Sequence, residues 1–374
     1  MLFTHEFFNA IIVLINHNLE KNKMAIWTPH IKSASCIKKF EKPILTKHDI
    51  PYDAELIFNA GVAKINGEYV MVFRNDHGTT KEEYENKVKG INKTSIGIAI
   101  SPNGIDNWKV KDHPIISFDM SSKECTNLLG TDELPYIKRI YDPRITVIEN
   151  NIYLCLAIDT EHGIRGTIAK LSEDYETYEI ISASVPDNRN MVLFPEKING
   201  YYVRLERPFP VYSRGKDRFD IWMSKSPDLK FWGESSLVLG VEHVPFANDK
   251  IGPAAPPVKT EYGWLTTFHA VDKEADGRGQ DEWEFWWNKR YSAGIMLLDL
   301  NDPSKVIGMS KLPIIAPELP FERDEGFRQN VIFPGGMILE DSGEVKIYYG
   351  AADTVECVAT ASVEDLIALC TEKP

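Results

Sequence analysis

One unit returns five times along this chain. An apolar run meets a tight turn, usually Asn-Gly or a relative, and a second apolar run rich in tyrosine and valine follows. A third strand-like run comes next, often opening on a Ser-Pro-Asp or Ser-Pro-Asn turn. The copies are FNAGVAKINGEYVMVFR from Phe58, YDPRITVIENNIYLCLAID from Tyr141, NMVLFPEKINGYYVRLER from Asn190, KIGPAAPPVKTEYGWLTTFHA from Lys250 and NVIFPGGMILEDSGEVKIYYGAAD from Asn330. Asn and Gly tolerate the positive φ of tight hairpin turns, so each copy reads as an antiparallel hairpin. A lone hairpin cannot bury its apolar face. Five similar sheets around an axis can, and radial repetition leaves only short sheet edges. The pattern therefore predicts an all-β fold, a five-bladed β-propeller, over a β-sandwich or two all-β domains. Helical patterning is confined to the N-terminus and to VEDLIALC near the C-terminus.

This reading divides the chain into an N-terminal extension, residues 1–40, and a single propeller, residues 41–374. The extension carries the apolar run FFNAIIVLI, too short and interrupted to span a membrane, and without a basic leader or cleavage site. A short helix packing on a blade or on a neighbouring subunit is expected there. The net charge of −13 argues against nucleic-acid and anionic-membrane partners. Five dispersed cysteines, with no CxxC pair, argue against a disulfide framework and a zinc site, and fit a cytoplasmic protein.

The repeat also places chemistry. About seven residues after each hairpin turn the chain leaves the strand at one end of its blade, and that exit is polar: Arg74, Asp159, Arg207, His269 and Asp353. The paired strands start at the same end with Asn59, Asp142, Arg189 and Lys250. Any one of these reads as a solvated strand end; nine at one corner predict a funnel-shaped site. Arg189 and Arg207 flank one hairpin and should return side by side. Two guanidiniums repel unless an anion holds them, and their planar forks suit phosphate. Lys250 and His269 are expected to form a similar pair on the next hairpin. The alternative is a set of structural ion pairs with Glu206, Asp187 and Asp249. Pro143 holds Asp142 extended; here the alternative is an Asp-Pro turn salt-bridged to Arg144. No nucleotide-binding glycine loop, HExxH or GxSxG motif occurs.

At KPIL…IPY, FNAGVAKINGEYVMVFRND, YDPRIT, VLFPEKING…ERP, KIGPAAPP, GWLTTFHA, AGIMLLDLNDPSKVI and YYGAADT the chain resembles glycoside hydrolase family 130, over about residues 40 to 370. That family comprises β-mannoside phosphorylases and related mannosidases built on a five-bladed propeller. The resemblance implies that Asp142 is the general acid. It implies that Arg189, Arg207, Lys250, His269 and Tyr291 surround phosphate. It implies that Asn59, Arg74, Asp76 and Asp353 bind mannose in the −1 subsite. Phosphate would attack the anomeric carbon with inversion, giving α-mannose 1-phosphate, and a sugar hydroxyl would relay the proton from the acid. Inorganic phosphate is then a co-substrate, with no metal or organic cofactor. The partners are phosphate and a small carbohydrate, and homo-oligomers are frequent in the family. Family hydrolases lack the basic phosphate residues, which are all present here, so phosphorolysis is favoured over hydrolysis by water or mere sugar binding. The departure is a polar, Trp-rich insertion, residues 271–291, where Trp283, Trp286 and Trp287 would wall the acceptor subsite or make a subunit contact. Linkage (β-1,4 or β-1,2) and acceptor stay open.

Overall fold

The computed structural model describes residues 32–80, 82–83, 93–117, 137–160, 162–210, 218–273 and 289–371. Its strands form five antiparallel sheets, each a meander running outward from an inner strand. The inner strands of blades 1 to 5 are Leu56–Ile65, Ile137–Ile148, Asn188–Leu193, Lys250–Pro253 and Ile332–Leu339. Each pairs with the second strand of its hairpin: Glu68–His77, Asn151–Thr160, Tyr202–Pro208, Trp264–Lys273 and Glu344–Ala351. The five-bladed propeller read from the repeat is the observed architecture.

The hairpin turns take the backbone their residues favour. Asn66 and Gly67 in blade 1, Glu149 and Asn150 in blade 2, and Asn199 and Gly200 in blade 3 all have positive φ. The Ser-Pro turns sit differently from expectation. Ser101 and Ser226 close the third strands rather than open them. Their hydroxyls take the backbone N–H of Asn103 and of Asp228 and lead the chain to the outer strand.

Among the described residues the core is five buried clusters, each bridging two neighbouring blades. Phe194 of blade 3 meets Trp264 of blade 4 edge-on, ring centroids 5.2 Å apart. Each blade packs a neighbour on both faces, so its strands read as continuous apolar runs whose alternate residues enter different clusters: Val70 and Val72 join blade 2, while Tyr69, Met71 and Phe73 join blade 5. The ring closes through the N-terminal segment. Lys38–Lys39 pairs with Val355–Ser362 as the outer strand of blade 5, so residues assigned by sequence to the extension complete a blade. Residues 1–31, and with them the expected N-terminal helix, lie outside the described residues, as do Trp283, Trp286 and Trp287 of the insertion. Helix Val363–Thr371 buries Leu366, Ile367 and Cys370, where VEDLIALC predicts a helix. No helix among the described residues is long and apolar enough to cross a membrane.

Candidate active site

Three inner strands break register at the same place. The pairing jumps between Phe58 and Gly61 in blade 1, Tyr141 and Arg144 in blade 2, and Arg189 and Val192 in blade 3. Each bulge contains a residue in the left-handed region: Asn59 (φ 55°), Asp142 (φ 52°) and Asn190 (φ 57°). Asn and Asp tolerate that conformation best among residues with a side chain. Asp142 is therefore not extended, as Pro143 led the sequence to predict, because the bulge overrides the proline's preference. A bulge re-aims its side chain out of the strict alternation. Asn190 is thus the third member of a set whose first two members the sequence reading singled out. It was missed, although aligning FNAG, YDPR and RNMV puts it in register with Asn59 and Asp142.

On blades 1 and 2 the set builds an acidic pocket. Asp142 Oδ1 accepts from Asn59 Nδ2 at 2.9 Å and from Arg74 Nη1 at 3.3 Å. The other edge of Arg74 is held by Asp76 through two bonds of 2.7 Å. The guanidinium lies over the rings of Phe58 (4.4 Å) and Tyr141 (5.0 Å). Burial favours the protonated form of Asp142, but Arg74, Arg144, the Asn59 hydrogen bond and Arg189 outweigh it and hold the carboxyl below its usual range. Asp353, at φ 49° just beyond Ala351, faces the opposite balance. Burial, reinforced by Asp142 and Asp76 and opposed by Arg74 and Arg328, pushes its carboxyl up to about 6. One pocket therefore holds an ionised carboxylate and a carboxyl poised near neutrality, the separation that assigns different proton roles to two acids.

That separation has a measurable consequence. Between the ordinary 3.8 and about 6 the folded chain keeps a proton on Asp353 that the unfolded chain releases. Stability contributed by this group therefore falls as pH rises through that window. Asp353→Asn should remove the slope, seen as a urea midpoint that changes less between these pH values than in the wild type.

On blades 3 and 4 the site is cationic. The register sets Arg189 directly opposite Arg207, as the flanking positions predict. Lys250 and His269 are not opposite each other: Lys250 faces Val271 and His269 faces Gly252. A Cβ at Gly252 would come within 2.3 Å of His269 Cε1 and 3.0 Å of Arg207 Cδ, so the glycine makes room for both. Arg207 is 1% exposed and His269 is fully buried. Arg207 Nη1 donates to His269 Nε2 at 3.1 Å, which leaves the imidazole proton on Nδ1. Asn190 Nδ2 lies 3.5 Å from the same Nε2. The His269 ring stacks on Phe333 (4.6 Å) and Tyr291 (6.2 Å). Lys250 Nζ sits over Phe219 (5.6 Å) and Tyr291 (5.5 Å). Arg189 Nη1 donates to the Tyr141 hydroxyl at 3.2 Å, which in turn donates to Asp159 at 2.6 Å.

Apart from Lys250 with Asp249, the expected structural ion pairs run elsewhere among the described residues. Glu206 pairs with Arg204 at 2.8 Å, on the strand face opposite Arg207. Asp249 takes Lys273 and Lys289, each at 3.0 Å, with Lys250 at 4.0 Å. Four buried donors, Nε and Nη2 of Arg207, Nε of Arg189 and Nδ1 of His269, have no acceptor among the described residues. The electrostatics match. Burial and then Arg189 push the Arg207 guanidinium down to about 9. Burial, then Arg207, Lys250 and Arg189, hold His269 well below its usual value, so it is neutral. Cations and donors this close and this dry have the chemistry to hold an oxyanion.

A family model described as β-1,4-mannooligosaccharide phosphorylase, of glycoside hydrolase family 130, matches residues 37–372. The chain belongs to glycoside hydrolase family 130. It is an enzyme of the phosphorylase type. It is 30% identical over 332 residues to a 1,2-β-oligomannan phosphorylase of Thermoanaerobacter sp., covering 87% of this chain and 97% of the relative. It is 31% identical to a β-1,4-mannooligosaccharide phosphorylase of Ruminococcus albus, covering 87% and 88%. The solved β-1,2-mannobiose phosphorylase of Listeria innocua, in complex with β-1,2-mannobiose, superposes with a TM-score of 0.70 at 26% identity, covering 89% of this chain and 99% of that one. Family and fold thus stand as the motifs suggested, and the relatives' names divide between two linkages.

Proposed function

We propose that this enzyme cleaves β-1,2- or β-1,4-linked manno-oligosaccharides with inorganic phosphate, inverting the anomeric centre to give α-mannose 1-phosphate. The observation that carries the reading is the set of four acceptor-less donors on Arg189, Arg207 and His269, on two adjacent blades beside the Asp142 pocket. Ordinary inverting hydrolysis needs a second carboxylate to activate water. Phosphate is already an anionic nucleophile, so cations that hold and orient it replace the base. A phosphate oxygen forms the new bond to the anomeric carbon while the bond from that carbon to the glycosidic oxygen breaks. The departing oxygen takes a proton that originates on Asp142, relayed by a sugar hydroxyl. No metal or organic cofactor enters this reaction.

Asp142 must carry that proton, yet Arg74, Arg144 and Arg189 keep it ionised in the free enzyme. Phosphate supplies the correction. An anion seated on Arg189 cancels one of the charges that favour the carboxylate and adds a negative charge nearby, so binding phosphate raises the Asp142 pKa. The nucleophile thereby arms the acid.

The assay is direct: β-1,2-mannobiose, β-1,4-mannobiose and 4-O-β-mannosylglucose are each incubated with and without phosphate. Phosphate-dependent formation of α-mannose 1-phosphate is expected from at least one. Free mannose released at the same rate without phosphate would make the enzyme a hydrolase.

A further inference from the structure

The sequence alternative for Arg144 was a salt bridge to Asp142, and its hydrogen bonds go elsewhere. Arg144 is 2% exposed, and among the described residues all of its hydrogen bonds run to backbone carbonyls. Nε donates to the carbonyl of Ala254, Nη1 to Asn59 (3.3 Å) and Pro143 (2.8 Å), and Nη2 to Pro334 (3.3 Å). Those carbonyls belong to blades 4, 1, 2 and 5. A single planar fork therefore joins four of the five blades at the axis. Buried charges are normally paired with a carboxylate. The nearby Glu356 does not play that part. It takes the Ala60 N–H at 3.1 Å, and burial pushes its carboxyl well above the usual range, which disfavours its charged form. The Phe333 ring lies 5.5 Å from the guanidinium.

The blades come close at this point. A Cβ at Gly61 would lie 2.8 Å from Arg144 Cα, and one at Gly335 would lie 2.1 Å from the Ala60 carbonyl and 3.3 Å from Arg144 Nη1. Two of the four carbonyls are also inside the bulges described above. Asn59 supplies one itself, and Pro143, which follows Asp142, supplies another. Left-handed residues in a bulge persist only where their surroundings over-determine them.

We propose that Arg144 is the positioning residue of this active site: its guanidinium fixes the backbone of the two bulges that aim Asn59 and Asp142 at the substrate. The inference rests on the reading of Asp142 as proton source. A fork with fixed donor directions can hold four carbonyls at once, and a lysine ammonium cannot. The role concerns the proton-transfer half of the site, because the carbonyls of Asn59 and Pro143 that Arg144 holds lie inside the bulges that carry Asn59 and Asp142.

The test compares Arg144→Lys and Arg144→Met in the full-length enzyme. Both are assayed for kcat, KM for phosphate and pH dependence, with thermal midpoint measured alongside. Arg144→Lys keeps the charge and loses the fork. Its kcat should fall about 10²-fold, the loss that goes with a displacement of roughly an ångström, while KM for phosphate stays within about threefold. Arg144→Met also loses the charge. The groups around Asp142 are Asn59, Arg74 and Asp76 of blade 1, Tyr141 on its own strand, Arg189 and Arg207 of blade 3, and Asp353 of blade 5. Removing Arg144 from that set moves the alkaline limb of the kcat profile to higher pH in the Met variant and not in the Lys variant. Wild-type kcat in Arg144→Lys overturns the proposal, as does an equal loss through KM for phosphate. Failure of Arg144→Lys to fold also overturns it, making the residue a folding element. A wild-type enzyme that forms no mannose 1-phosphate shows instead that the parent reading is wrong, and the proposal falls with it.

Discussion

Asp142→Asn lowers the rate of phosphorolysis by about 10²–10⁴-fold, the usual contribution of general acid catalysis, and leaves the fold and phosphate binding intact. The substitution is nearly isosteric, and asparagine accepts the φ of 52° that the bulge imposes. Its amide oxygen can keep the hydrogen bonds from Asn59 Nδ2 and Arg74 Nη1. What is lost is the proton. The substrate dependence of the loss separates that cause from mere misplacement. An aryl β-mannoside whose phenolate departs without protonation should be turned over by the variant at close to the wild-type rate. A natural disaccharide, whose leaving alkoxide needs the proton, should not. Phosphate affinity, read as a shift in thermal midpoint, should not weaken, because removing a negative charge near Arg189 favours an incoming anion. Equal losses on both substrates would assign Asp142 to binding rather than to proton donation.

The parts of this molecule that were legible in the sequence are those that local rules write. Asn66-Gly67 and Asn199-Gly200 announce hairpins because their residues tolerate positive φ, and five such units leave little choice but a ring. Arg189 and Arg207 are expected together because they flank one hairpin, but they meet only because the bulge between Arg189 and Val192 shifts the register; plain counting sets Asn190 opposite Arg207. Counting fails at a bulge. One extra residue shifts every partner beyond it, so the period-2 pattern gives no sign that Asn190 joins Asn59 and Asp142. In blade 4 the same counting paired Lys250 with His269, whereas Gly252 is the true partner and the missing side chain is what admits the imidazole. Arg144 was illegible for a different reason. Its acceptors are carbonyls, which every residue carries, so no side-chain motif marks them.

The largest binding effect belongs to Arg207, and replacing it with methionine should change activity and stability in opposite directions. Losing one partner of a buried charged contact costs about 2–5 kcal/mol, which at 1.4 kcal/mol per tenfold weakens phosphate by roughly 30- to 3,000-fold. KM for phosphate should rise accordingly, with a smaller effect on saturated turnover. The ligand-free enzyme should respond otherwise. In it the Arg207 guanidinium is buried opposite Arg189, with Nε and Nη2 unsatisfied, and is pushed down to about 9. A base whose pKa is lowered on folding destabilises the fold at every pH below that folded value and ceases to do so above the unfolded one. At neutral pH the wild type therefore carries the full cost, and methionine, of similar length and without charge, relieves it. The loss of the contact with His269 Nε2 subtracts part of the gain. Added phosphate reverses the order. At a hundred times the wild-type Kd it stabilises the wild type by about 2.7 kcal/mol and the variant by at most about 0.9 kcal/mol. Thermal midpoints of the two proteins, measured across a phosphate titration, should cross. A variant less stable than the wild type without phosphate, with an unchanged KM, would show that Arg207 holds blades 3 and 4 together and has no part in the anion site.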